Sequence, residues 1–336
     1  MNFYDIITKK GGYMPSTITH AYFGEDLFYK IQKESKKIIN NKKSLMMFSQ
    51  SMDALMFYNI YSIFPGKNIR NMSSVFHNNK TNEFFSNLIT YMKENEYYND
   101  SQTLSFLYGL IAHFSLDSTT HPFIFYKTGL YNKKDKNTIK YNGMHTYMEN
   151  YIDNYFLLER NKKLKVNISS FCFDIKPFSN ELNMCIDNTF FKTFNTKNMS
   201  KKYYKSLKQM KNFIKLFRID NYGIKYFFYN LIDIIKPINT FQFKSISYKH
   251  NNYDKYDFLN NKKNTWYYPV NKDITYNKSF LELYDEALLK AISIINKIND
   301  YFFKDKDINI NELFHNQSYV TGIDCNSNKN QKFFEF

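Results

Sequence analysis

The chain has 336 residues, 43% hydrophobic and 19% aromatic, with only 9 Gly and 6 Pro. This composition excludes a disordered chain, argues against a turn-rich β architecture, and allows one large domain or two smaller ones. The formal charge of +15, from 46 Lys+Arg against 31 Asp+Glu, would suit a phosphate-bearing partner. Lysines scattered among abundant Asn, Ile, Tyr and Phe are also what a coding bias towards A and T produces, and that bias is read as the main source of the basicity. Cys172, Cys185 and Cys325 show no CxxC spacing, so free thiols are expected rather than a disulfide framework or a thiolate zinc site. Without an apolar signal segment or an uncharged apolar run of about 18 residues, the expected location is the cytoplasm, free or peripheral to a membrane.

Residues 1–13, ending at Lys9-Lys10-Gly11-Gly12, read as a flexible leader. Pro15-Ser16-Thr17 offers caps for a helix of about five turns running through His20, Phe23, Leu27, Ile31 and Lys36. A second helical stretch, Ser44 to Asn59, carries Asp53 among Met52, Leu55, Met56 and Phe57, unusual company for a carboxylate. Phe64-Pro65-Gly66-Lys67 is a turn, Ile69 to Asn78 contains His77, and Thr81 to Asn95 is amphipathic.

The stretch from about Ser101 is the most informative. His113, Asp117 and His121 stand four residues apart in an apolar helix, which Pro122 is expected to end. Positions four apart are offset by only about 40°, so three metal-type ligands share a face. Buried together they would need a partner, and a shared divalent metal is the simplest one. Lys127 to Lys140 follows as a lysine-rich loop, placing Lys127, Lys133, Lys134, Lys136 and Lys140 near the rim, where they could attract an anionic surface. The next helix carries His145 and Glu149 at i, i+4.

Further helices are expected at Ser179 to Phe194, Ser200 to Phe217, Tyr222 to Ile235 and Ser279 to Phe303. Residues 237–278 read as an irregular connection holding Trp266, and residues 304–336 as a loosely ordered tail. His250 and His315 lack carboxylates at ligand spacing and read as surface residues. The organisation expected is a leader (1–13), a helical metal-binding core (14–236), a connection with a C-terminal helix (237–303) and the tail (304–336). The fold class is all-α.

Five of seven histidines, with Asp53, Asp117 and Glu149, fall in the first half. Imidazole and carboxylate ligands without thiolate favour zinc inside a helical bundle, with manganese and iron still open. No GxSxG, P-loop or HExxH accompanies them, which argues against a serine hydrolase, an NTPase or a zincin.

Pro15-Ser16-Thr17-Ile18-Thr19-His20, the Asp53 segment, His77-Asn78-Asn79, His113-x-x-x-Asp117-x-x-x-His121-Pro122 and His145-x-x-x-Glu149 together resemble the zinc-dependent phospholipase C family, whose all-helical bundle is shared with single-strand-specific zinc nucleases. The resemblance spans roughly Met14 to Leu158. Trp266-Tyr-Tyr-Pro and the helix from Ser279 are similar to the C-terminal part of uncharacterised intracellular members, implying a helical C-terminal extension. The resemblance implies one zinc on His77, His113 and Asp117, a second on His121, His145 and Glu149, and Asp117 bridging towards a third with His20. In secreted phospholipases an N-terminal tryptophan completes the third metal. Met1 stands well upstream of His20, so two zincs are the default expectation. It further implies a phosphodiester hydrolase of phospholipase C type in which Asp53 orients or deprotonates water. A single-strand nuclease and a non-catalytic, zinc-stabilised binding protein are the alternative readings.

Overall fold

The structure, a computed structural model, describes residues 16–61, 69–132, 134–161, 168–220, 222–235, 242–248, 256–327 and 330–335. The leader, the turn at 64–67, Lys133 and His250 lie outside them. The architecture is all-α. Helices α1 (Thr17–Lys30), α2 (Lys33–Ile38) and α3 (Lys42–Phe48) lead to a 3₁₀ turn at Ser51–Phe57. Next come α4 (Asn71–Asn78), α5 (Thr81–Glu94), the long α6 (Ser101–Thr128) and α7 (Met144–Asn161). After these lie α8 (Ile168–Cys172), α9 (Asn180–Phe194), α10 (Met199–Phe213), α11 (Ile224–Ile235), α12 (Phe280–Lys304) and α13 (Ile310–Phe314).

The centre of the bundle is α6. It is apolar almost all round and buried along most of its length, as a helix enclosed by others must be. Helices α12, α3, α1 and α7 surround it, with α9 alongside. The approach of α3 is close enough to require a glycine: a Cβ on Gly109 would lie 2.5 Å from the Phe48 carbonyl carbon.

Several sequence expectations need correction. Pro122 does not end α6, which continues to Thr128. Proline cannot donate to the Ser118 carbonyl, but here Gly322 is seated against that oxygen, and a Cβ on Gly322 would come within 2.6 Å of it. The extra helical length buries Lys127 against Glu335 (2.8 Å), so Lys127 is not a rim lysine, whereas Lys134, Lys136 and Lys140 are exposed. The first expected helix breaks at the extended Ile31, which drops into the core, and resumes as α2. The second is shorter than expected: α3 stops at Phe48, and Asp53 sits in the tighter 3₁₀ turn.

The expected irregular connection contains a β-hairpin, β1 (Trp266–Tyr268) against β2 (Asn271–Tyr276), antiparallel with a bulge at Tyr267/Tyr268. Trp266 is buried beside Phe123, and its indole N–H donates to the Lys278 carbonyl (3.0 Å). Within the expected tail, residues 304–327 are packed on the bundle: Phe314 stacks on Phe85 at 3.8 Å between ring centroids, and Tyr319 is fully buried. Their polar composition hid a few aromatic anchors. His315 is exposed, as its polar neighbourhood suggested, and Cys172, Cys185 and Cys325 are free. No helix among the described residues is long and apolar enough to cross a membrane.

Gly109→Ala should therefore lower stability by about 1–3 kcal/mol through overpacking against Phe48. Urea unfolding measures it, and an unchanged midpoint would contradict the tight α3–α6 contact.

Candidate metal centre

His113, Asp117 and His121 come together on one face of α6. Asp117 is nearly inaccessible and is the hub of the centre. Its carboxylate lies 3.0 Å from His113 Nε2, 3.3 Å from His20 Nε2 and 3.7 Å from His121 Nδ1. His20 reaches it from the first turns of α1 and stacks on His113, with 4.3 Å between ring centroids.

What holds α1 in place is a carboxylate from another helix. Asp153 of α7 accepts from Ser16 Oγ (2.5 Å), from Thr19 N and Oγ1 (2.8 and 2.7 Å) and from Ile18 N (3.2 Å). Tyr248 Oη adds a fifth donor at 2.8 Å. Ser16 is the N-cap residue, but its own side chain does not cap; Asp153 satisfies the first N–H groups instead. The α1 register that aims His20 is thus tied to the helix that carries His145 and Glu149.

Asp53 and His77 close the near side. Asp53 lies 3.4 Å from His77 Nε2 and 3.7 Å from His113 Nε2, and Ser73 Oγ donates to it at 3.4 Å. His77 Nε2 is 3.0 Å from His113 Nε2. Across α6, His145 Nε2 is 3.2 Å and His121 Nε2 3.9 Å from Glu149 Oε1. One ligand atom from each of His20, Asp53, His113 and Asp117 falls within 4.8 Å of the others, and the same holds for His121, His145 and Glu149. All eight side chains singled out in the sequence meet in one buried region. The grouping differs from the one the resemblance implies: Asp53 and His20 join His113 and Asp117 in one set, and His77 stands beside it.

Burial opposes charge on these groups, and their mutual arrangement decides the outcome. For Asp117, burial is outweighed by His113, His121 and His20, which hold its carboxyl well below the usual range. His121 is resisted by burial but lifted to about 9 by Asp117 and Glu149. His113 is likewise raised by Asp117 and Asp53 against burial, and Glu149 is lowered by His145 and His121. His77 goes the other way, because its burial prevails over Asp53.

The donor set fits a divalent metal of the zinc type. It is all nitrogen and oxygen, and buried His20 Nδ1 and Glu149 Oε2 have no hydrogen-bond partner in the structure, which is costly unless a ligand engages them. The outer bonds orient the rings. His113 Nδ1 faces the Ser49 carbonyl at 3.0 Å and His121 Nδ1 the Tyr319 carbonyl at 2.8 Å, so in each neutral ring Nδ1 donates and Nε2 is left to ligate.

Tyr319 was not foreseen. Its backbone N–H donates to the His77 carbonyl (2.9 Å), its carbonyl holds His121, and its ring meets His77 edge-on at 4.9 Å. Nothing in Gln-Ser-Tyr-Val-Thr-Gly announces such a role. Asp153 did leave a signal, since it continues the His145, Glu149 spacing by one more turn.

An all-helical bundle with buried imidazole–carboxylate donor sets defines a candidate metalloprotein of the zinc-binding class. A family model described as zinc dependent phospholipase C matches residues 19–215, more than half of the chain, and the chain belongs to that family. No curated protein and no solved structure gives a significant match.

The Tyr319 hydroxyl is buried without a hydrogen-bond partner. Tyr319→Phe should therefore raise the stability of the chelated chain by about 1 kcal/mol, read from its denaturant midpoint. A loss of stability would mean that the hydroxyl is bonded in solution.

Proposed function

We propose that the chain hydrolyses the phosphodiester of phospholipids in the manner of a phospholipase C, and that it does so in the cytoplasm at a membrane surface. The observation that carries this reading is the pair of neighbouring donor groups, His20, Asp53, His113 and Asp117 with His77 beside them, and His121, His145 and Glu149, in a chain of this family. His77, His113 and Asp117 are assigned to one zinc and His121, His145 and Glu149 to a second, with His20 and Asp117 available to a third. Zinc bound there would supply Lewis acidity towards phosphoryl oxygens and lower the pKa of a bound water.

The chain's own residues do the rest. Asp53, the most exposed carboxylate of the centre, is assigned as acceptor of the water proton, steadied by Ser73. The Ser49 and Tyr319 carbonyls keep the Nδ1 protons of His113 and His121, so neither ring needs to turn when a ligand binds at Nε2. Phe125, beside His121 and His145, keeps water from that flank. The leaving group would be diacylglycerol.

Elemental analysis should return at least two zinc ions per chain, with chelation lowering the melting temperature. His113→Ala and His145→Ala should each lose one ion. Less than one metal in wild type, with unchanged melting after chelation, would overturn the assignment. Asp53→Asn should keep the zinc content and lower kcat on a soluble phosphatidylcholine analogue by about 100-fold or more. Loss of zinc instead would make Asp53 a ligand, and cleavage of single-stranded DNA alone would make the enzyme a nuclease.

Zinc uptake should also depend on pH. With His121 lifted to about 9, the metal-free chain carries a proton there at neutral pH. Binding must expel it, so affinity should fall by about tenfold for each unit below about 9, read by competition with a chromophoric chelator. A flat profile would remove His121 from the ligand set.

A further inference from the structure

Helix α11 is built inside out. Its polar side faces the protein: Tyr229 Oη donates to the Phe217 carbonyl (3.1 Å), and Asp233 accepts from the N–H groups of Phe243 (2.8 Å) and Lys244 (2.9 Å). Asp220, just before the helix, accepts from Tyr226 N (2.7 Å). The opposite side carries Ile224, Phe227, Phe228, Leu231, Ile234 and Ile235, which at about 100° per residue fall within an arc of about 120°. All six are exposed: Phe227 and Phe228 to 58% and 56%, Ile234 and Ile235 to 70% and 86%. No residue of α11 is buried. An apolar face of this extent on a folded chain marks an interaction surface.

Charge selects the occupant. Asp233 is the only acidic residue of α11, and both it and Asp220 are turned onto backbone N–H groups, away from the apolar face. Lys215 and Lys244, which flank the helix in sequence, are exposed. An apolar face with no outward acid, on a chain whose formal charge is +15, matches the boundary between headgroups and acyl chains of an anionic bilayer. A second copy of a chain bearing +15 would repel the first.

We propose that α11 is a membrane-docking helix that lies in the plane of an anionic lipid surface. The placement is connected to the metal centre. The 3₁₀ turn Phe243–Ile246 is seated between α11 and α7, and the Ser245 carbonyl accepts from Asn150 Nδ2, one residue beyond Glu149. The helix therefore presents the lipid surface to the element that supplies His145 and Glu149. It lies outside the family match at 19–215, so the surface belongs to this chain's C-terminal half. Its meaning as a substrate-delivery surface rests on the lipid reading of the function, but the docking itself does not.

The test is co-sedimentation of the full chain with vesicles of equal parts phosphatidylcholine and phosphatidylserine, compared with pure phosphatidylcholine. The companion is Phe227→Glu/Ile235→Glu, two exposed positions, checked for unaltered melting temperature and metal content. Wild type should bind the mixed vesicles at least about tenfold more tightly than the variant, and neutral vesicles more weakly. Equal binding of variant and wild type, or no binding by wild type, would overturn the proposal. So would a wild-type dimer in size-exclusion chromatography that the variant abolishes, because the face would then be a self-interface. Hydrolysis of a soluble short-chain phospholipid by wild type separates the two readings: vesicle binding without hydrolysis leaves docking intact and removes the function, and hydrolysis without binding does the reverse.

Discussion

The burial of Asp117 is the constraint on which the rest of the fold depends. A carboxylate this deep in an apolar bundle is tolerable only with cationic or metal partners around it, because desolvation of an unpaired charge would cost several kcal/mol. Its partners come from α1 and from both neighbouring turns of α6, while the Ser49 and Tyr319 carbonyls fix the rings of His113 and His121. Each partner needs its own helix held at a defined height, so the bundle's connections serve the centre as much as the core.

That requirement explains the polar scaffold behind α7. Asp153 caps α1, Asn150 bridges Ser245 and the fully buried Arg218, and the Arg218 guanidinium lies 4.1 Å over the Tyr248 ring, whose hydroxyl returns to Asp153. The ring of contacts joins α1, α7, the π-helical turn Ile214–Arg218 that follows α10, and the segment from Phe243 to Tyr248. Buried polar groups of this kind tolerate few alternative arrangements, because each substitute would leave a partner unsatisfied. Here they define the relative positions of His20 on one helix and Glu149 on another.

The parts of the centre legible in the sequence are those written in local spacing. His113, Asp117 and His121, and likewise His145 and Glu149, share helix faces by the i, i+4 rule, which needs no knowledge of the tertiary structure. The all-helical class followed from the same periodicity and from the scarcity of glycine and proline. What could not be read was long-range. Pro122 looks like a terminator until Gly322, far away in sequence, is found against the Ser118 carbonyl. The stretch after Lys304 looks disordered until Phe314 and Tyr319 find Phe85 and His77. The exposed apolar face of α11 was hidden for another reason: periodicity reports that a helix is two-sided, not which side faces the protein.

The contact of Tyr319 with His77 and His121 has a consequence for biosynthesis. A chain emerging from the ribosome exposes α1 to α7 long before residue 319 exists, and domains order themselves from the N-terminus as they appear. The histidines would then assemble while the carbonyl that orients His121 and the ring that covers His77 are still unmade. The nascent bundle would therefore hold its donor atoms in a looser, wetter arrangement than the finished protein. The segment around Tyr319 acts as a closing clasp, so maturation of the centre waits on residues far downstream of the helices that supply its ligands.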